Sequence, residues 1–382
     1  MASRLYRSTR QLYLAVEVAL VRLHLNTLGT PTLAALIALA VTGLIVLEAR
    51  PTQTRVARRL PGRCHDALNR LLRDMPWSTR ALSALLIAFA KHLNRDGYLV
   101  LDDVIVEKAF AKRLRWAGKI YSFAKKRKLW GLHIVVLVWC SCDSRWRIPV
   151  GFRLWRPKWS CRPERYQTKL QLAAELVRAV VSVKLPAKYI VGDTHYTAGW
   201  FTKRLARLGL IWQGTLDPKT TVVWRGKRQA VRELAPQLKL KWRQQLELRA
   251  VTLRVYAPKY GQIRLVVTRN RHGNYEYLVS NDLQADLTRL VQRKRSRWSV
   301  ETVFRDSKQF SGLEACQCWS DQAMVRHVGL VLLTFVVLQL LRMTPGESVG
   351  AVKERWQLAV IRDGEVPPPP LRACPLELRP TA

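Results

Sequence analysis

Acidic residues are scarce: 27 Asp and Glu stand against 65 Lys and Arg in 382 residues, a formal charge of +38. That imbalance excludes a self-neutralising surface and makes a polyanion the expected neighbour, nucleic acid first. The basic residues run from Arg4 to Arg379 instead of filling one tail, which favours a long contact track over a lipid-surface anchor. Cysteine is sparse as well, with seven residues and no Cys-x-x-Cys pair. Cys140-Ser-Cys142 and Cys316-Gln-Cys318 have the wrong spacing for a zinc knuckle, so incidental reduced thiols are expected. Met1 to Arg10 is basic, and Glu17 and Arg22 interrupt the apolar residues that follow. No secretory leader is expected there, and the cytoplasm fits the unpaired thiols. Long apolar runs are few. Leu25 to Leu47 is uncharged and long enough for a bilayer, but Asn26, Gly29 and Pro31 make it only mildly apolar. A buried helix pair broken near Gly29 to Pro31 is the expectation. The 14 uncharged residues from Val328 to Leu341 are read as part of a core helix, Met324 to Leu341, and a membrane is not an expected partner. There is no internal repeat.

What is present changes character along the chain. Residues 1–95 read as helical. Within them Thr52 to Arg73 suggests two short helices around Pro61-Gly62, either a helix-turn-helix that would set Arg63 and Arg70 against duplex DNA or an ordinary helical hairpin. An amphipathic run, Thr79 to Leu93, follows. From Gly97 the pattern becomes strand-like over residues 96–216, with strands expected at Gly97 to Lys108, Gly131 to Cys140, Arg147 to Trp155, Lys188 to Gly192 and Ile211 to Leu216. Helical periodicity marks Lys169 to Val183 and Trp200 to Leu208, and Lys112 to Lys128 reads as a basic connection. Residues 217–282 form an expected β-rich insertion, with alternation at Val251 to Tyr256 and Gln262 to Thr268 and a further strand at Tyr275 to Val279. Residues 283–345 return to helix, and 346–382 read as a Pro-rich tail. The fold class is α/β, a mixed sheet flanked by helices.

Three acids have suggestive positions. Asp102 and Asp103 lie in an otherwise apolar strand, where a carboxylate needs a cation or hydrogen bonds. Because side chains alternate, the two face opposite sides. Asp193 ends a short strand just before a helix, the place where open α/β sheets set their chemistry, although a helix cap is the plain alternative. Glu301 lies on a helix whose Arg297, Glu301, Arg305 and Lys308 fall within roughly 80° of arc. Alone, that stripe is a pair of ordinary i,i+4 ion pairs. Together, strand acid, strand acid and helix acid form the oxygen-donor set that two divalent ions need for phosphodiester chemistry. Arg297 and Lys308 could then hold phosphates. Asp306 lies about 140° round the helix from Glu301 and is left out of the set. His195 is expected packed at the strand end, and Glu107 and Lys108 in the site's surroundings or on the surface.

The arrangement resembles the insertion-sequence transposases of the DDE type, in the cut-and-paste group marked by a Tyr-x2-Arg-x3-Glu-x6-Lys signature. Arg297, Glu301 and Lys308 stand at the signature spacings, with Lys294 at the Tyr position. Asp193 matches the second acid in a Gly-Asp-x-x-Tyr context ending at Tyr196. The family's Asp-Asp-Thr selects Asp103 as the first acid, with Val104 in place of Thr and Asp102 as the alternative. The resemblance implies a ribonuclease H-like core, with Asp103, Asp193 and Glu301 as catalytic residues and ligands of two Mg2+ ions for which Mn2+ substitutes. It implies DNA contacts from Arg297, Arg305, Lys308 and Trp298, and no small-molecule substrate. A homodimer would bind the terminal inverted repeats and the target DNA, nick with water and transfer the freed 3′-hydroxyl, in a nucleoid-associated cytoplasmic setting. Relatives with a β-rich insertion pass through hairpin ends and flip a base onto an aromatic residue, for which Trp212, Trp224, Trp242 and Trp298 are candidates. For Trp298, packing within the protein is the competing expectation. Two other readings remain open, a basic DNA-binding regulator and a domesticated nuclease that cuts without transposing.

Overall fold

A computed structural model describes residues 2–47, 55–56, 65–122 and 125–362. The N-terminal helices are α1 (Ala2–Arg22), α2 (Pro31–Val46), α3 (His65–Arg73) and α4 (Thr79–His92). The central strands and their crossovers follow as β1 (Gly97–Glu107), β2 (Gly118–Ser122), β3 (Arg127–Ser141), β4 (Arg147–Trp155), α5 (Lys169–Ser182), β5 (Ile190–Gly192), α6 (Gly199–Arg207) and β6 (Trp212–Thr215). Six further strands occupy the next stretch: β7 (Thr221–Trp224), β8 (Lys227–Ala230), β9 (Lys241–Arg243), β10 (Leu248–Ala257), β11 (Gly261–Arg269) and β12 (Tyr275–Ser280). The chain then runs through α7 (Leu287–Ser296), α8 (Trp298–Phe310), α9 (Asp321–Leu340) and α10 (Val349–Arg362).

The strands form one mixed sheet in the order β2-β3-β1-β5-β6-β12-β11-β10-β7-β8, with β4 on β3 and β9 on β10. β1 runs antiparallel to β3 along its whole length and parallel to the short β5. Being central, β1 can hold an apolar run on both faces, which is why Leu99, Val100 and Leu101 are almost fully buried. The crossover helix α5 packs on β3 and β4, while α8 packs on β1 and β4. Lys169 of α5 bonds Asp103 and Arg297, just before α8, bonds Asp102. Neighbouring residues on a strand face opposite ways, so the two helices cover opposite faces of the sheet. The large mixed sheet between helices is consistent with a ribonuclease H-like nuclease fold.

Local sequence explains the ends of these elements. Thr30 caps α2 through Leu33 N at 3.2 Å, with Pro31 at the first helical position. Thr168 and Gln171 form a reciprocal capping box at α5, with bonds of 3.3 and 2.8 Å. Leu25–Leu28 is a single 3-10 turn, so the uncharged stretch breaks before Pro31. α2 packs against α1, α9 and α10. Among the described residues one helix, Asp321–Leu340, is apolar and long enough to cross a membrane, yet 89% of its apolar window is buried inside the protein.

Four sequence expectations need correction or placement. The basic connection contains a strand, β2, whose Gly118 to Ser122 pair with Gly131 to Arg127. The strands β7, β8 and β9 were not expected; in β8 and β9, Lys227-Arg-Gln and Lys241-Trp-Arg lack apolar alternation and are held by β7 and β10 alongside. The tail reading fails over Val349–Arg362, a helix whose Val349, Val352 and Val360 are buried; the Pro-rich residues after it lie outside the described residues. Of the two helices expected between Thr52 and Arg73, the second is α3; the turn before it, with Arg63 and Cys64, lies outside the described residues.

α10 is tied down by a buried cation. Lys353 is 3% exposed and donates to Leu44 O at 3.0 Å and to Phe310 O, joining α2 to the end of α8. Burial lowers its ammonium to about 8. The folded value lies below the unfolded one, so the unfolded chain holds more protons between the two and stability rises with pH across that window. Urea unfolding should show the wild type gaining about 1–3 kcal/mol relative to Lys353→Met between pH 7.5 and 10. Parallel curves for the two proteins would rule this linkage out.

Candidate active site

The site is built on the parallel pairing of β1 and β5. Leu101 stands beside Gly192, so the next residues, Asp102 in the middle of β1 and Asp193 just past the end of β5, fall beside each other. Gly192 is required by packing: a Cβ there would lie 2.7 Å from Tyr196 Cβ, because the chain folds straight back into a 3-10 turn at His195–Thr197. Asp193 makes that turn. Its Oδ1 accepts from His195 N at 2.9 Å and Tyr196 N at 3.3 Å. The plain alternative for this acid, a backbone cap, is thus present in the structure, and it uses one oxygen of the carboxylate.

The third element is α8. Its predecessor α7 is capped by Asp286, which accepts from Arg289 N at 2.7 Å, and the chain bends at Arg297 before α8 begins. Val300 and Val303 bury one side of α8 and turn Glu301 toward β1. Arg297 joins the two: Nη1 donates to Asp102 Oδ2 at 2.8 Å and Nη2 to Glu301 Oε1. Burial and the neighbouring Asp193 carboxylate push Asp102 up to about 7, against the opposing pull of Arg297. A half-buried carboxylate pair beside a third acid, balanced by one guanidinium, favours any additional cation. Among the described residues no three His, Cys, Asp or Glu side chains converge at metal-ligating distance, and the guanidinium of Arg297 lies between the two acids it bonds. The donor chemistry, hard carboxylate oxygens on two strands and a helix, suits Mg2+ or Mn2+.

Asp103 stands elsewhere, and this departs from the sequence reading. It points to the α5 face, where Lys169 Nζ is 3.0 and 3.1 Å from its two oxygens. His133 Nε2 lies 3.0 Å from Oδ2, and the Tyr196 hydroxyl donates to Oδ1 at 2.9 Å. Although burial opposes it, the bonds from His133 and Lys169 hold its carboxyl well below the usual range. The alternation of the strand separates the two acids, and the register with β5 selects Asp102 as the one beside Asp193.

The remaining candidates divide. Lys308 donates to Ile105 O at 3.0 Å and pairs with Glu314 at 2.8 Å, which fastens α8 to the end of β1. Arg305 is exposed and pairs with Asp306 at 3.1 Å; Asp306 itself is buried and pushed up by that burial. Trp298 is 63% exposed, so it does not pack within the protein. Trp242 is exposed too, whereas Trp212 is buried beside Tyr260. Lys294, at the signature's Tyr position, pairs with Glu276 at 2.6 Å. Arg70 is exposed on α3. His195 is exposed, with its ring edge-on to that of Tyr196 at 5.2 Å. Glu107 pairs with Lys125 and Arg127, and Lys108 is buried, donating to Glu314 O and Cys316 O. The partners Lys169 and His133 carried no signal in the sequence, since neither lies near an acid in the chain.

A family model described as DDE superfamily endonuclease matches residues 25–254, more than half of the chain. The match takes in Asp102, Asp103 and Asp193 and ends before α8 with Glu301. No curated protein matches the chain.

Proposed function

The chain belongs to the DDE superfamily endonucleases, and from that premise we propose that it is a cut-and-paste transposase of the Tyr-Arg-Glu-Lys group. Its reactive acids would be Asp102, Asp193 and Glu301. The observation that carries this reading is the bridge from Asp102 through Arg297 to Glu301, with Asp193 beside Asp102. It links acids far apart in the sequence through the residue that precedes α8.

Endonucleases of this superfamily use divalent metal ions. Held by the oxygens of Asp102, Asp193 and Glu301, such ions would supply Lewis-acid charge to a phosphodiester. The chain's own residues supply position. β1 and β5 hold two acids in a fixed register, and the Asx turn at Asp193 sets its carboxylate. Arg297, which bonds two of these acids, would also be placed to pair with a phosphate oxygen. In the first step a water oxygen bonds to phosphorus and the 3′-oxygen leaves, giving a 3′-hydroxyl and a 5′-phosphate. In the second that hydroxyl attacks a target phosphorus and the target's own 3′-oxygen leaves. Trp298 and Arg305, exposed on the same helix, are set to meet the DNA. The substrate DNA would be the terminal inverted repeats held by a homodimer, in a prokaryotic cytoplasm.

The experiment is an end-labelled duplex carrying the element's own terminus, incubated with purified protein and Mg2+, Mn2+ or EDTA. Cleavage at the terminus with metal and none with EDTA is expected. Metal-independent binding with no cutting, under conditions that pair two ends, would sink the enzyme and leave a DNA-binding regulator.

A further inference from the structure

A second basic feature lies at the outer edge of the sheet, apart from the three acids. The loop between β4 and α5 carries Arg156, Lys158, Trp159, Arg162, Arg165 and Tyr166 against a single acid, Glu164. Trp159 is 65% exposed. The Arg156 guanidinium lies 4.0 Å over the Trp116 ring, which orients its N–H edge without using it. Lys158 lies 5.3 Å from the Tyr166 ring.

The same loop borders a cavity of about 450 Å3 that follows the open edge of β4. Arg80 of α4 and Arg153 of β4 line it with Arg156 and Arg165, against two carboxylates, Glu164 and Glu175. Arg153 is fixed in place: Nη1 donates to Phe152 O at 2.8 Å, and Nε lies 3.6 Å from Glu175 Oε2. That buried Nε makes no hydrogen bond, and Glu175 is also engaged by Gln167. Four guanidiniums with one acid already engaged favour an anion of bidentate geometry. Arg153 also stands in register with Asp103 through Val135, two strands and about 10 Å away. That register puts Arg153 on the α5 face with Asp103, opposite the face that carries Asp102, and the basic edge follows the sheet from Asp103 to its rim.

Guanidinium forks beside the exposed ring of Trp159 suit a nucleic-acid strand, phosphates on the arginines and bases or sugars on that ring. We propose that loop 156–166 and the β4-edge cavity form a second DNA contact, which takes backbone phosphates of duplex running away from the Asp102–Asp193–Glu301 centre. It rests on the reading of the chain as an enzyme that acts on DNA.

The test uses the full chain and two duplexes, one stopping just past the cleavage position and one extended by further flanking DNA. Affinity is measured against salt for the wild type, for Arg156→Gln/Arg165→Gln, and for the control Arg178→Gln/Lys184→Gln at the far end of α5. On the long duplex the first pair should lower the slope of log K against log salt by roughly 2, and the control pair should not. On the short duplex the slopes should agree. Trp159→Ala should weaken the long duplex roughly tenfold with its slope kept. Thermal melting establishes that each variant is folded, and Arg153 is left in place because it is embedded. A wild-type slope on the long duplex in the arginine pair overturns the contact, even where the wild type cuts with metal. Saturation of the site by a deoxynucleoside monophosphate, lost in that pair while the DNA slopes agree, assigns it to a free nucleotide and also overturns it. A wild type that binds neither duplex removes this contact and the enzyme reading together.

Discussion

Replacing Glu301 by Gln should abolish metal-dependent cleavage while leaving the affinity for terminal DNA within a few-fold of wild type. The change removes one charge and keeps the shape, so α8 still packs through Val300 and Val303. What is lost is a negatively charged oxygen donor at the point where β1 and α8 meet. A metal contribution of several kcal/mol to the transition state translates to a rate loss of roughly 10³-fold or more. Arg297 keeps its bond to Asp102, so the fold of the site does not depend on Glu301. Gel cleavage and fluorescence anisotropy on the same end duplex separate the two effects. A Gln variant that cuts within tenfold of the wild type would remove Glu301 from the reaction, and with it the main argument for placing α8 at the centre.

The sequence made the order of the acids legible, and their facing less so. Glu301 with Arg297 could be paired from the four-residue spacing alone, and the structure has that bond. Asp193 could be placed at a strand end because Gly192 and Asp193 follow an apolar run and precede a helix. The alternation of β1 also said that Asp102 and Asp103 face opposite ways. Which of them faces α8 is a matter of register between β1 and β5, strands about ninety residues apart, and nothing local encodes it. The motif argument chose Asp103 from its neighbour in the chain; the structure puts Asp102 beside Asp193 through its neighbour in the sheet. The short strands β8 and β9 were missed for a related reason, since Lys227 to Gln229 and Lys241 to Arg243 pair as strands only because β7 and β10 lie alongside. The regular elements β1, β3 and β4 were legible because apolar residues run almost unbroken along each, and α5 because its buried residues recur at helical spacing.

The two adjacent acids should respond to the same substitution in opposite ways. Asp102→Asn removes a charge that burial and Asp193 already disfavour, so the protein should fold with near wild-type stability and lose cleavage by roughly 10³-fold. Asp103→Asn withdraws the counter-charge from Lys169 and changes the partner of His133, both of them mostly buried. Leaving a cation there without its partner costs about 2–4 kcal/mol, read as a lower urea midpoint. Cleavage by that variant should fall only about 10–100-fold, since Asp103 reaches the site through the Tyr196 hydroxyl and the turn that holds Asp193. The acid limb distinguishes the two as well. Asp103 is depressed below its unfolded value, so its contribution is complete above the ordinary carboxylate range and is lost as pH falls through and below it. The stability gap between wild type and Asp103→Asn should therefore be constant from pH 7 to 5 and close below about 4. If instead Asp103→Asn were stable and inactive while Asp102→Asn unfolded but still cut, Asp103 would be the acid of the reaction and the register of β5 against β1 would not be what selects it.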